Sequence, residues 1–306
     1  MARLGCALKK TFLTSALAAT RDVDHVTVLR RDRFQLRYSV FDGSDGSADS
    51  ELVVLVMGTG SPGRVWELHQ VPALRSAGYR VVTFDSRGIG GSTPLAGADD
   101  AAYAGMTIDD LVGDVAALVE HLGGGPAHVI GTSLGARVVQ ELVLTRPELV
   151  SRAVVMAGHA RLDPLQVMLT RGEMDLFDQG VRLPPSYAAA VAAALNLSKA
   201  TLRSPDVLRD WLDIFEFSAA PPTPAQRAQL ALSDQLTDRS EAYRAIRVPM
   251  LVMGFTDDVM IPAYLCRELT SVISTARYIE VTDTGHFGYL ERPDEVNKLI
   301  LGFLAG

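Results

Sequence analysis

Lysine and cysteine are scarce in this chain of 306 residues: only four of its 29 basic residues are lysine, and it has two cysteines. No run of Lys and Arg is long enough to track a phosphate backbone, and 36 acidic residues leave a net charge of −7. Both facts argue against a nucleic-acid partner. Cys6 and Cys266 lie at opposite ends of the chain, too few for a disulfide framework and without metal-ligand spacing. A reducing, cytoplasmic setting is expected, with no metal and no cofactor. No window approaches the ~18 uninterrupted apolar residues of a membrane span. The first twenty residues lack acids and end Ala-rich, but the apolar region after Lys10 is short and broken by Thr and Ser. They read as a disordered or mis-started extension rather than a secretory signal.

What the chain does have is apolar residues, 48% of the total, enough for one large core. Alternating apolar positions from His25 to Phe41, around the polar link Arg30 to Arg33, predict an antiparallel hairpin. Short apolar runs follow at Leu52–Met57, Arg80–Phe84, Ala127–Ile130, Ala153–Met156, Met250–Met253 and Arg277–Val281. Strands buried on both faces have this composition. Helical spacing at Ile108, Leu111, Val112, Val115, Leu118, Val119 and Leu122, opened by Thr107-x-x-Asp110, predicts an amphipathic helix. A final helix should start near Pro293 and carry Val296, Ile300 and Phe303. Alternation of strands and helices predicts an α/β protein with a doubly wound, mostly parallel sheet, its site at the carboxyl ends of the strands.

One stretch breaks the alternation. Gly158 to Val248 is helical and Pro-rich with no convincing strand, which predicts a helical cap over 159–248 inserted into a core of 1–158 and 249–306. Its apolar residues (Met168, Leu169, Met174, Leu176, Phe177, Tyr187, Trp211, Phe215, Phe217) suit the cap's own core or a pocket, and Ser218–Pro224 reads as a loop within it.

Gly131-Thr132-Ser133-Leu134-Gly135 stands directly between a predicted strand and a predicted helix, the context of a nucleophile elbow. Glycine on both flanks lets neighbouring backbone pass close to a sharp turn that lifts the serine hydroxyl above the sheet, at a helix N-terminus that favours developing negative charge. A serine needs a base, and of six histidines only His286 follows a strand just ahead of the last helix. His121, His128 and His69 fall in ordinary helix or strand positions, and His159, at the cap entrance, is expected to line the pocket without a catalytic part. The acid that fixes the imidazole should follow a strand between the two, which points to Asp257 or Asp258.

Four motifs together resemble the α/β-hydrolase superfamily from the hairpin to the last helix. They are Met57-Gly58-Thr59-Gly60, Phe84-Asp85-Ser86-Arg87-Gly88-Ile89-Gly90-Gly91-Ser92, the elbow at Ser133, and Gly285-His286 followed by Glu291-Arg292-Pro293. The resemblance implies a triad of Ser133, Asp258 and His286, and an oxyanion hole from the backbone N–H groups of Leu134 and Thr59, with Gly60 as the alternative to Thr59. It implies that Asp85 and Arg87 build a loop. Two departures stand out. The family has His-Gly where this chain has Met57-Gly58, and the segment Gly254 to Pro262 is one residue longer than usual. Counting forward selects Asp257 and counting back selects Asp258; Asp258 is preferred because Pro262 starts the next helix and anchors the loop.

The expected activity is hydrolysis of an ester or thioester of a medium-sized, largely apolar small molecule through an acyl-enzyme, with a carrier-protein-bound acyl group as a possible form of substrate. Acyl transfer, elimination, cyclisation and carbon–carbon bond cleavage use a similar triad, and a ligand receptor can keep the same fold, so fold alone does not choose.

Overall fold

The computed structural model describes residues 26–44, 50–95, 100–123, 125–218 and 222–306. The extension reading for residues 1–20, and the middle of the predicted loop Ser218–Pro224, lie outside the described residues. The strands are β1 (Val26–Arg31), β2 (Phe34–Phe41), β3 (Leu52–Val56), β4 (Arg80–Phe84), β5 (Thr93–Pro94), β6 (Ala127–Thr132), β7 (Val150–Met156), β8 (Met250–Phe255) and β9 (Ala276–Val281). They form one sheet in the order β1-β2-β4-β3-β6-β7-β8-β9, with the short β5 pairing β2. β2 runs antiparallel to β1, β4 and β5; every other pairing is parallel.

The order reverses at one place. From β3 the chain crosses to β4 on one side and later returns through β6 on the other, so β3 and β6 are neighbours, with Val56 beside Gly131. Connections that leave two adjacent parallel strands in opposite directions open a crevice at their carboxyl ends, and ligands bind there. The central strands earn their position by composition: β6 and β8 are buried along their whole length.

Helices cover this sheet in two groups. Gln70–Ser76 packs with Pro293–Leu304, and Ile108–Leu122 packs with Leu134–Thr145. The helix Ile108–Leu122 starts where the sequence places it, because Thr107 and Asp110 form a reciprocal capping box: Asp110 N donates to Thr107 Oγ1 (3.1 Å) and Thr107 N to Asp110 Oδ2 (2.8 Å). Asp85 and Arg87 serve the loop after β4. Asp85 accepts from Gly63 N and Gly91 N, each at 2.8 Å, while the buried Arg87 makes a two-pronged pair with Asp114 at 2.6 and 2.8 Å.

Between β7 and β8 the chain forms the helices Pro164–Asp178, Pro185–Asn196, Lys199–Leu202, Pro205–Ser218, Pro224–Ala231 and Ser240–Tyr243, and among the described residues this stretch contributes no strand. The segments that enter and leave it are both tied to the helix Leu134–Thr145. Buried Arg137 donates to His159 O (3.3 Å), Thr237 O (3.2 Å) and Tyr243 Oη (2.7 Å); Tyr243 Oη donates to Glu141 Oε1 (2.7 Å), which also pairs with Arg239. Removing one member of such a network strands a buried charge, at ~3–5 kcal/mol.

Two glycines test the close approach of β3 and β6. A Cβ on Gly135 would collide with the carbonyl oxygens of Val56 and Met57, whereas one on Gly172, inside the helix Pro164–Asp178, meets nothing within 4 Å. Gly135→Ala is expected to lose ~3 kcal/mol or more and Gly172→Ala to gain ~0.5–1 kcal/mol in urea unfolding. Equal effects at the two positions would contradict the packing described.

Candidate active site

The site begins at the carboxyl end of β6. Ser133 has φ 56° and ψ −121°, a conformation that a residue with a Cβ seldom adopts. Its neighbours hold it there: Ser133 N donates to Met156 O at the end of β7 (3.0 Å), and Ser133 O accepts from Arg137 N (3.2 Å). Glycine is required on both sides, since a Cβ on Gly131 would strike Gly135 O. Across the crevice Gly58 comes so near that its own Cβ would lie 3.2 Å from that of Ser133. The first N–H groups of the helix Leu134–Thr145 have no intrahelical acceptor, so Leu134 N–H belongs to an electropositive end beside the Ser133 hydroxyl.

His286 and Asp258 arrive from the ends of β9 and β8. His286 Nδ1 meets Asp258 Oδ2 at 2.8 Å, and both side chains are buried, 8% and 5% exposed. The other carboxylate oxygen, Oδ1, accepts from Met260 N and Ile261 N, each at 2.8 Å. A carboxylate at Nδ1 fixes the proton on that nitrogen and leaves Nε2 as the acceptor. Asp257 points elsewhere: its side chain accepts from Lys199 N (3.0 Å) and pairs with Lys199 Nζ (3.2 Å). Of the two adjacent acids, Asp258 is the one His286 touches.

Ser133 and His286 share the wall of a cavity of about 390 Å³ with Met57, Gly58, Thr59 and Phe287. The loop after β3 lacks the family's histidine. In that place buried Met57 lies 4.0 Å from Tyr289 Oη through its Sδ, and the loop is held from the helix Pro224–Ala231, where Gln229 Oε1 accepts from Gly60 N (2.8 Å). Gly60 N–H is therefore committed, which leaves Thr59 N–H as the loop's candidate donor. Glu291 similarly ties the histidine loop to the helix Lys199–Leu202 and its cap residue Ser198, accepting from Gly285 N (2.6 Å), Ser198 N (2.9 Å) and Thr201 Oγ1 (2.5 Å). Neither Gln229 nor the carboxylate of Glu291 was assigned a part from the sequence. Only the Glu-Arg-Pro run hinted at one.

Several expectations for the cap need correction. Met168, Tyr187 and Phe217 are 60%, 58% and 74% exposed, filling neither the cap's core nor the cavity. Trp211 and Phe215 lie against Phe287 with tilted rings, and Leu176 lines a second cavity of about 550 Å³. His159 was expected to line the pocket but is not on its wall; it is buried behind Gln166, whose Nε2 lies 3.4 Å from His159 Nε2. His121 and His128 are occupied structurally, by Tyr38 Oη (3.1 Å) and Ser151 Oγ (2.8 Å).

Burial, reinforced by the Arg137 charge, lowers the His159 pKa to about 3. The folded state thus refuses a proton that the unfolded chain accepts below its ordinary value of 6.5. This stability is complete above pH ~6.5 and is lost as pH falls towards ~3, by about 2 kcal/mol at pH 5. His159→Asn should remove that increment from the difference between urea unfolding at pH 7 and at pH 5. An unchanged difference would show that another group carries the acid sensitivity.

Comparison with known proteins agrees with this architecture. A family model described as the alpha/beta hydrolase fold matches residues 51–293. BpoC of Mycobacterium tuberculosis (H37Rv), which carries the name of a non-heme bromoperoxidase, is 42% identical over 261 residues, 85% of this chain and 96% of BpoC. Its crystal structure superposes with a TM-score of 0.80, covering 92% of this chain and 97% of that one at 41% identity. RutD of Caulobacter sp. (strain K31), named for carbamate hydrolysis, is 28% identical over 85% of this chain and 92% of its own length. The enol-lactonase of Burkholderia xenovorans LB400 superposes with a TM-score of 0.71 and 26% identity, covering 92% of this chain and all of the other (100%). A single sheet with its reversal between β3 and β6, a strained serine at that point and a match over most of the chain lead to one conclusion: the chain belongs to the α/β-hydrolase fold family.

Proposed function

We propose that this hydrolase cleaves an ester or thioester of a medium-sized, largely apolar small molecule through an acyl-enzyme on Ser133, in a cytoplasmic setting. The observation that carries the proposal is the 2.8 Å contact between His286 Nδ1 and Asp258, on the wall of the same cavity as the strained Ser133. Asp258 holds the imidazole so that Nε2 takes the proton of Ser133 Oγ as that oxygen bonds to the substrate carbonyl carbon. The carbonyl electrons move onto its oxygen, which the N–H groups of Leu134 and Thr59 receive. As the tetrahedral intermediate collapses, the leaving group departs with the proton from Nε2; water then repeats the sequence and frees the acid. Residues 159–248 act as the cap, with Ala188, Val191, Ala192 and Leu195 of the helix Pro185–Asn196 as an apolar wall for an acyl chain. The enol-lactonase is named for a lactone, a cyclic ester, and the RutD relative for hydrolysis of a carbamate; both names place attack at a carbonyl carbon, which supports that part of the reading.

A fluorophosphonate should add to Ser133, and Ser133→Ala should lose both the adduct and turnover of p-nitrophenyl esters without unfolding; mass spectrometry of the labelled peptide reads it. Asp258→Asn is expected to lower kcat by ~10⁴-fold, the loss known for amidating a triad acid. Asp257→Asn should change it little. Adduct on another serine, or the reverse ranking of the two acids, would refute the assignment.

The apolar wall sets a second expectation. From acetate to hexanoate, kcat/KM for p-nitrophenyl esters should rise about twofold per methylene, if half of the ~0.8 kcal/mol available from burying each CH₂ is realised in the transition state. A flat or falling series would remove the acyl-chain reading of this wall.

A further inference from the structure

A second helix on the cavity wall has the wrong polarity for an alkyl pocket. The helix Pro164–Asp178 presents Gln166, Thr170 and Glu173 to the cavity that holds Ser133 and His286. Their spacing of four and three residues puts them on one helical face. Meanwhile Leu165 and Met168 of the same helix are 52% and 60% exposed. A surface helix ordinarily buries its apolar stripe and turns polar side chains to water. Here that rule is weakened: only Met174 of the helix is buried, while the half-buried Gln166 and Thr170 line the chamber together with Glu173, which also reaches solvent.

Two of those polar groups lack partners. Gln166 Oε1 is buried with no hydrogen bond, although the other end of the amide lies 3.4 Å from His159 Nε2. Glu173 stands where the two cavities meet, lining both along with Thr59, Leu183, Ala188 and Leu230. Desolvation alone raises its pKa, since no hydrogen bond or neighbouring charge among the described residues contributes. A buried, unpaired acceptor such as Gln166 Oε1 costs about 1–3 kcal/mol, whereas Glu173 keeps part of its surface in solvent and has no hydrogen-bond partner among the described residues. A ligand hydroxyl or N–H that displaces this solvent would find the Glu173 carboxylate free to accept.

We infer that Gln166, Thr170 and Glu173 form a polar subsite for hydrogen-bond donors, so that the preferred substrate carries a hydroxyl or amide N–H along the chain that extends from the scissile carbonyl towards the second cavity. One side of the chamber then contacts alkyl surface and the other holds a polar group, which selects an amphipathic substrate over a plain fatty ester. Glu173, at the junction, is the specificity-determining residue. The inference rests on Ser133 as the point of attack, and its test separates the two.

Two series of p-nitrophenyl esters, ω-hydroxyalkanoates and ω-methoxyalkanoates of roughly six to ten carbons, differ by a donor and one methyl group, whose burial would favour the methoxy member. At the best length the hydroxy member should be favoured in kcat/KM by about tenfold, the worth of one hydrogen bond of ~1–1.5 kcal/mol. Glu173→Leu should collapse that ratio towards one, and Glu173→Gln, which keeps an acceptor, should restore part of it. Binding of 8-hydroxyoctanamide against 8-methoxyoctanamide, read by calorimetry, gives the same comparison without turnover. If no ester is hydrolysed but the hydroxyamide binds about tenfold tighter, the hydrolytic reading fails and the subsite stands. Equal affinities, binding of neither amide, or a hydroxy preference that survives Glu173→Leu overturns the subsite.

Discussion

The contact on which the rest depends is the close passage of the helix behind Ser133 under the end of β3. Gly135 lies so near the carbonyl oxygens of Val56 and Met57 that no side chain fits between them. That proximity brings two loops, one after β3 and one after β6, to the same crevice, and it forces Ser133 into a turn with positive φ. Strain of this kind persists only where surrounding structure over-determines it. Here the determinants are the hydrogen bond from Ser133 N to Met156 O and the completely buried strand beneath. The sheet thus holds Ser133, the proposed nucleophile, in a strained conformation at the carboxyl end of β6.

Around this fixed point the other parts are adjustable, and three polar links set them. The Arg137, Glu141 and Tyr243 network holds both ends of the cap to the helix that Ser133 starts. Glu291 joins the histidine loop to Ser198 and Thr201, and Gln229 joins the loop after β3 at Gly60 to the helix Pro224–Ala231. The helical segment between β7 and β8 is therefore tied to the core at several points. Its hydrogen bonds to Gly60 and Glu291 tie the loops that carry Thr59 and His286 to the same segment, so in the proposed mechanism their positions relative to Ser133 depend on how that segment is seated.

Much of this could be read from the sequence because the signals were local. Period-two and period-3.6 patterns located the long strands and the helices Ile108–Leu122 and Pro293–Leu304, and the glycines around Ser133 announced a tight turn. The preference for Asp258 over Asp257 followed from the proline that starts the next helix, and His286 is the residue it touches. What stayed hidden depends on contacts between distant residues. Gly60 and Gln229 are 169 positions apart, and nothing in either neighbourhood foretells their hydrogen bond. For the same reason Met168 and Phe217 could not be seen to face solvent, nor His159 to sit behind Gln166: a cap helix shows its periodicity in sequence but not which side meets the core.

The central claim is a covalent acyl intermediate shared by every substrate with a given acyl group. It is tested most directly by partition: hexanoate esters of p-nitrophenol, phenol and thiophenol are hydrolysed in aqueous methanol, and the ratio of hexanoic acid to methyl hexanoate is measured for each. A common acyl-enzyme on Ser133 predicts one ratio for all three, whatever their individual rates, because the leaving group has gone before water and methanol compete. A ratio that changes with the leaving group would contradict the account, since water would then attack the intact ester directly.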